Sequence, residues 1–108
     1  MSEQSARFAL PFLLPGQSQK EFFHNEALAS IDAALHPSVE AGPLAAPPAD
    51  PQPGQGWLVS TAPSGAWAGH ADALAVWTEG GWRFVAPVQG MHVWHKAEAR
   101  FSTWSGSG

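Results

Sequence analysis

The first candidates for chemistry are polar residues at the start of a predicted helix. The stretch LPGQSQKEFFHNEAL, residues 14–28, places Lys20, His24, Asn25 and Glu26 around two phenylalanines. A histidine can act as a general base or a metal ligand when a suitable partner lies beside it. The helical period places His24 on the apolar stripe, and the residue four positions further on is a leucine. The pattern therefore favours a buried neutral histidine bonded to the backbone over a catalytic base or a ligand.

The other histidines are also poorly spaced for a metal site. His92 and His95 lie three residues apart in a predicted strand, so their side chains face opposite sides of the sheet. His70 and Asp72 are close together in a loop but lack a third ligand nearby in the sequence. We therefore expect no metal ion and no other cofactor.

Catalytic carboxylates are equally hard to assign. Glycoside hydrolysis needs two acids that flank the scissile bond, and Asp72, Glu79 and Glu98 lie in separate predicted turns. The chain has no cysteine, and it lacks the G-x-S-x-G, P-loop and H-E-x-x-H motifs. The sequence predicts that the protein is not an enzyme and has no catalytic residues. A small hydrolase is the least favoured alternative.

The composition indicates a small protein with little charged surface. Of 108 residues, 44% are hydrophobic and only 13% are charged, about half the usual share of charge. A protein of this size with so little charge often buries part of its surface in an assembly. The five lysines and arginines are scattered along a chain of net charge −4, so no nucleic-acid surface is predicted.

The N-terminal apolar run does not predict membrane insertion. FALPFLL, residues 8–14, is interrupted by Pro11, and no small-residue cleavage site follows it. The run is also too short to span a bilayer. We therefore expect no signal peptide.

The elements that position these residues predict an α+β fold in one domain, residues 1–108. SQKE at 18–21 is a capping box that starts a helix, and Pro37 ends that helix. Six prolines between residues 37 and 56 predict a stiff connector across the surface, which we call the strap. The predicted parts are an extended arm at 1–16, a helix at 17–36, the strap at 37–56, a β-meander at 57–104 and a flexible tail at 105–108.

An antiparallel meander of about five strands is predicted to pack against the helix. The strands cover residues 57–62, 73–78, 82–86, 91–95 and 100–104. In the second strand, Leu74 and Val76 alternate with Ala75 and Trp77. Alternate residues of a strand face opposite sides, so an aliphatic face is expected to cover the helix and an aromatic face to point away from it.

The helix is expected to turn an apolar stripe toward this sheet. The stripe is centred on Ile31 and contains Ala27, Leu28, Ala34, Leu35 and His24. The opposite face carries Phe22, Ala29 and Ala33, which either the arm or another subunit is expected to cover. The resulting interface candidates are Phe8, Phe12, Phe22, Ala29 and Ala33. Three polar residues on one flank are expected to be solvated or bonded to the strap, and the alternative is a small polar patch that recognises a partner: Glu21, Asn25 and Asp32.

Six tryptophans and no tyrosine are the most unusual feature of the composition. All six tryptophans lie in the second half of the chain. They predict either a second core layer or an aromatic surface for a sugar or an apolar partner. Trp67 is expected to be exposed because it lies in a loop among small residues. The candidates for contact with a glycan or a partner are Trp67 and Trp94.

Several motifs resemble a family of unknown function found in tailed phages, prophages and gene transfer agents of alphaproteobacteria. LPFLLPGQSQKEFFHNEALASIDAAL, residues 10–35, resembles the family's opening of Leu-Pro, Gly-Gln-x-Gln-Lys, Asn-Glu-Ala-Leu and an Asp-containing helix. Later segments that agree are APPADPQPGQGWLV, GAWAGHADALAVWTEGGWRFVAPVQG and FSTWSG. The resemblance covers about residues 8–106, and the combination of motifs is specific.

The resemblance implies a structural virion component linked to tail fibres or surface spikes, with no catalytic residues. Family members often carry further sequence after this domain, whereas this chain stops after FSTWSGSG, so a compact adaptor or spike base is expected. The expected partners are further copies of the chain, in a ring or trimer, and capsid, tail or spike-fibre proteins. The expected location is a phage or gene transfer agent particle, after synthesis in the bacterial cytoplasm. The alternative is a carbohydrate-binding module that recognises host surface polysaccharide.

Overall fold

An arm, a helix and seven short strands make up the described part of the chain. The computed structural model describes residues 4–12 and 19–105, and side chains within 4–12 and 24–105. Helix α1 is Gln19–Leu35, and a short 3-10 turn is Gly65–Trp67. The strands are β1 (Ser38–Val39), β2 (Ala41–Leu44), β3 (Gly56–Val59), β4 (Leu74–Thr78), β5 (Gly81–Val85), β6 (His92–His95) and β7 (Arg100–Thr103). No helix within the described residues has the length and apolarity that crossing a bilayer requires.

The α+β fold predicted from the sequence is confirmed, and the strands divide between two sheets. One sheet has the strand order β2-β3-β4-β5 and the other has the order β1-β6-β7. All five predicted strands are present within a few residues of their predicted bounds. The series β3-β4-β5 and the pair β6-β7 are antiparallel, as in a meander. The division between the sheets falls at the connection from β5 to β6.

The strap contributes one strand to each sheet. β1 pairs parallel with β6, and β2 pairs parallel with β3. Between these two strands, Glu40 N donates a hydrogen bond of 2.7 Å to Gly56 O. Pro43 fits in β2 because this is an edge strand, which needs no backbone donor on its outer side. The strap therefore joins the two sheets.

The helix is rotated by about half a turn from the orientation that its apolar period predicts. Ile31 and Leu35 are 50% and 59% exposed, and His24 is exposed as well. Ala29 and Ala33 are buried in their place. The prediction that the stripe around Ile31 packs on the sheet and buries His24 is therefore wrong. The physical reason is that alanine side chains let the helix axis lie close to its neighbours, whereas isoleucine and leucine would hold it further away.

An ion pair fixes the helix to the edge of the larger sheet. Glu26 of α1 pairs with Arg83 of β5, and α1 packs along this strand. Since β5 is the last strand of its sheet, the helix protects an edge that would otherwise be open to pairing with another strand.

An aliphatic cluster packs the helix and both sheets together. Its buried members are Ala33, Val39, Leu74, Val76 and Val93. Leu74 and Val76 lie on the same face of β4, as their alternation predicts. Val39 and Val93 come from the smaller sheet, so one core holds both sheets and α1.

A second cluster, on the opposite face of β4, consists mainly of aromatic rings. Its buried and partly buried members are Leu44, Trp57, Val59, Trp67, Ala75, Trp77, Trp82 and Phe84. The Trp82 ring lies 5.8 Å from that of Trp57, 5.3 Å from that of Trp67 and 5.0 Å from that of Trp77, between centroids. All three contacts are edge-to-face, an arrangement that aromatic rings favour. Four tryptophans therefore form a second core layer, one of the two alternatives that the sequence leaves open.

Candidate functional site

The described part of the arm folds back on itself. Gln4 and Pro11 form an isolated bridge. Ser5 N donates to Leu10 O at 3.0 Å, and Leu10 N donates to Ser5 Oγ at 2.8 Å. The arm therefore contains a closed turn with hydrogen bonds of its own.

Asp32 of α1 binds this turn. Asp32 is 3% exposed, and its carboxylate accepts hydrogen bonds from three groups of the arm. Ser5 Oγ and Phe8 N both donate to Oδ1 at 2.7 Å, and Arg7 N donates to Oδ2 at 2.8 Å. The expectation that Asp32 is solvated or bonded to the strap is wrong, because its partners lie in the arm. These donors compensate for the cost of removing a carboxylate from water.

The side chain of Arg7 bonds to the backbone of α1 and of the strap. Its Nη1 donates to Ala33 O and His36 O at 3.3 and 3.2 Å, where the end of the helix leaves carbonyls unpaired. Its Nε and Nη2 donate to Gly54 O and Ser38 O at 2.9 and 2.8 Å. Burial lowers the pKa of the Arg7 guanidinium, while the charges of Asp32 and Glu40 act to raise it. The group nevertheless keeps its charge, because an arginine pKa starts so far above neutrality.

We call Ser5, Arg7, Phe8 and Asp32 the arm joint. Hydrogen bonds of this joint hold the arm to the helix and connect the end of the helix to the strap. Its residues bond to one another and to the backbone, so its role is to set the relative positions of arm, helix and strap.

Replacing Gly56 by alanine should destabilise the protein through this joint. A Cβ atom at Gly56 would lie 2.7 Å from Arg7 Nη2 and 3.0 Å from Ser38 O, so the guanidinium would have to move. We expect the free energy of unfolding, measured by urea denaturation, to fall by about 1–3 kcal/mol. In an Arg7→Ala background the same substitution should cost less, because the guanidinium is no longer in the way. An equal cost in both backgrounds would contradict this explanation.

The outward face of α1 carries an apolar stripe that nothing in the described chain covers. We call Ala27, Ile31, Ala34 and Leu35 the helix stripe; all four side chains are exposed. The spacing i, i+4, i+7 and i+8 aligns them along one side of the helix. The sequence pattern is therefore genuine, but it faces solvent instead of the core.

The predicted interface residues fall in different places. Phe8 is exposed and Phe12 is half-buried, so both remain open to a partner. Ala29 and Ala33 are buried within the chain, and Ala33 belongs to the aliphatic core. These two alanines therefore do not form a surface for another subunit. The side chain of Phe22 lies outside the described residues, as does the predicted helix cap at Ser18.

The two predicted glycan-contact tryptophans also differ. Trp67 is fully buried in the aromatic cluster, so the prediction that it is exposed is wrong. The 3-10 turn directs its ring inward against Trp82. Trp94 is half-buried in β6 and packs edge-to-face on Phe101 of β7, with 4.8 Å between ring centroids.

His92 extends this aromatic pair into a small exposed patch. Its ring lies 6.0 Å from that of Phe101, which is 54% exposed. His92 and Trp94 are two residues apart in β6, and Phe101 is the cross-strand partner of Trp94, so all three share one face of the smaller sheet. We call these three residues the aromatic patch.

The remaining histidines and acids considered for chemistry do not converge. His95 is buried on the opposite face from His92, with its Nε2 2.7 Å from Ser102 Oγ. His70 stacks on Phe84 at a centroid distance of 3.6 Å. Among residues 4–12 and 19–105, no three histidine or acidic side chains come together as a metal site would require.

Comparison with known proteins gives a family for the chain. A family model described as protein of unknown function (DUF2793) matches residues 24–108, which is most of the sequence. The chain belongs to this family. No curated protein matches it. The DUF2793 match includes Asp32, the helix stripe and the aromatic patch, whereas Ser5, Arg7 and Phe8 of the arm joint precede it.

The arm joint is the feature that sequence reasoning missed. Arg7 is the only lysine or arginine among residues 1–16, and Asp32 is the only acid in the last two turns of the helix. These two features of the sequence could have suggested that Arg7 and Asp32 lie close together. Since 25 residues separate Arg7 from Asp32 along the chain, no local pattern relates one to the other.

Proposed function

We propose that this chain is a structural component of a phage or gene transfer agent particle, in which several copies form an adaptor or base for a spike or tail fibre. The observation that carries the proposal is the exposed helix stripe. It is an apolar face of a type that proteins normally bury, and no residue in the described part of the chain covers it.

The stripe fits a second copy of the chain. It presents two large apolar side chains, Ile31 and Leu35, beside the small residues Ala27 and Ala34, and it contains no charge. Helices with this alternation of large and small side chains can approach one another closely. The exposed ring of Phe8 lies beside the same helix, because Phe8 N is bonded to Asp32. Arm and helix can therefore contribute to one interface.

The assignment to a particle rests on the motifs in residues 10–35 and in the later segments, which resemble virion proteins linked to spikes and tail fibres. The low share of charged residues, 13%, also suits a protein whose surface is largely covered in an assembly. The partners in this proposal are further copies of the chain and neighbouring capsid, tail or fibre proteins.

Electron cryomicroscopy of particles purified from cells that produce a tagged version of the chain would test the proposal. We expect density for several copies arranged around a symmetry axis at the base of a spike or fibre. Purified particles that lack the chain, or that contain it only as isolated single copies, would overturn it.

Replacing Ile31 and Leu35 together by glutamate should separate the copies. The two carboxylates would be buried without partners in the interface but would remain solvated in the monomer. We expect the sedimentation coefficient to fall to that of a single chain while the circular dichroism spectrum stays unchanged. Val88→Glu is the matched control, because Val88 is also exposed but lies outside the stripe. If both variants sediment alike, the stripe is not the interface.

Carbohydrate recognition is the second candidate function, and the aromatic patch favours it. The burial of Trp67 removes one of the two tryptophans on which this candidate depended. Phe101 and His92 take its place beside Trp94 and offer an exposed aromatic face. Screening the assembled protein against a glycan array would test this function, and an array without any bound glycan would count against it.

A further inference from the structure

A cleft lies where the arm, the strap and the end of β6 meet. Its volume is about 300 Å³, and its polar lining comes from Arg7, His36, Ser38, Gln55 and Lys96. The strap and the arm supply most of these residues, and Lys96 directly follows β6. The cleft is therefore next to the smaller sheet.

The cleft and the aromatic patch adjoin each other through this sheet. Ser38 lines the cleft and is the direct ladder partner of Trp94. Trp94 N and Lys96 N donate to Pro37 O and Val39 O at 2.9 and 3.0 Å, so the parallel pairing continues past β6. Residues two apart in such a ladder face the same side. Lys96 thus lies on the same face as Trp94, between the patch and the cleft.

Two cations line the cleft, and the acids that act on them, Asp32 and Glu40, lie beside it. The chain has a net charge of −4, whereas the described residues that line the cleft include Arg7 and Lys96 and no acid. Lys96 Nζ donates to Glu40 Oε2 at 2.6 Å, and its side chain is still 47% exposed. An ammonium group has three donors, so Lys96 can bind a second acceptor while it keeps Glu40.

We propose that the aromatic patch and the cleft together bind an acidic saccharide, a chain of pyranose rings that carries carboxylate groups. The inference deepens the second candidate function and does not depend on assembly through the helix stripe. The apolar C–H face of one sugar ring packs on Phe101 and Trp94. The carboxylate of the neighbouring sugar meets Lys96, and the sugar hydroxyls bond to polar groups of the cleft.

The chemistry of this face suits a saccharide better than an apolar protein partner. The aromatic rings form a narrow row that is flanked by Ser38 and Thr103, with a cation at one end. A protein partner would bury a broader apolar surface and leave Lys96 without water. A saccharide leaves the ammonium group partly hydrated and meets its positive charge with a carboxylate.

Isothermal titration with a short oligogalacturonide as the acidic probe and a malto-oligosaccharide of equal length as the neutral probe tests the inference. We expect the unchanged protein to bind the acidic probe, and to bind it more weakly as salt is added. Phe101→Ala and Lys96→Gln should each weaken this binding by about tenfold, or about 1.4 kcal/mol. Val88→Ala is the control, because Val88 is exposed near the opposite end of β6 from Lys96.

Three outcomes would overturn the inference: no binding of the acidic probe, equal binding of both probes, or unchanged binding by Phe101→Ala. A light-scattering mass measured on the same samples reports separately on assembly. If the saccharide fails to bind while the assembly persists, only this inference falls. If saccharide binding persists in a monomer, the assembly proposal falls instead.

Discussion

Replacing Asp32 by alanine should lower the free energy of unfolding by about 3–5 kcal/mol, one of the two largest losses expected for the protein. The carboxylate accepts three hydrogen bonds from the arm, and the substitution leaves two backbone N–H groups and a hydroxyl without their acceptor. A domain of this length is stabilised by only about 5–15 kcal/mol. The arm should detach from the helix, and Arg7 should then lose its contacts with the helix end.

Urea denaturation followed by tryptophan fluorescence measures this loss. Asp32→Asn should be intermediate, because the amide keeps one acceptor oxygen but presents N–H donors to the other donors of the arm. Asp50→Ala is the matched control, since Asp50 is exposed in the strap. If Asp32→Ala and Asp50→Ala have the same midpoint, the carboxylate does not hold the arm.

Replacing Trp67 by alanine should cost a similar amount, about 3–5 kcal/mol. Trp67 is fully buried, and its ring contacts Trp82 edge-to-face at the centre of the aromatic cluster. Because the ring lies in a 3-10 turn between β3 and β4, the cavity would open beneath a loop. The neighbouring tryptophans would lose packing on one side.

Trp67→Phe tests the packing contribution of the ring alone. The Nε1 atom of Trp67 is buried and has no hydrogen-bond partner among the described residues. Phenylalanine therefore removes ring volume without breaking a hydrogen bond, and its cost should be well below that of alanine. The exposed Val88→Ala should leave the urea midpoint unchanged. A Trp67→Ala protein as stable as the Val88→Ala control would contradict the buried position of this ring.

The strands could be predicted because their signals are local. Period-2 alternation and short turns place β3 to β7 within a few residues, and the two faces of β4 follow from Leu74, Val76 and Trp77. The pairing of the strap with both sheets could not be predicted in this way, since parallel pairing between distant strands leaves no mark in the spacing.

The orientation of the helix could not be predicted, because the apolar period shows which face of the helix is apolar but not what that face contacts. The rule that the most apolar stripe packs inward fails for Ile31 and Leu35, which are exposed. The inward face instead carries the small side chains of Ala29 and Ala33 and the carboxylate of Asp32, which is hydrogen-bonded to the arm. A helix that leaves its large apolar side chains exposed has a face that is available for contact with another molecule.

Membership in DUF2793 does not reveal what the protein does, because the family is described as a protein of unknown function. The functional proposals therefore rest on two exposed surfaces of this chain. The helix stripe supports assembly of several copies, and the aromatic patch with its cleft supports recognition of a saccharide.

The mass of the protein in solution tests the central claim, that the helix stripe joins copies of the chain. Light scattering coupled to size exclusion, over a series of concentrations, measures it directly. We predict a mass that is a multiple of 11.4 kDa at high concentration and that falls on dilution. A mass of 11.4 kDa at every concentration, for a protein whose spectrum shows it to be folded, would contradict the claim.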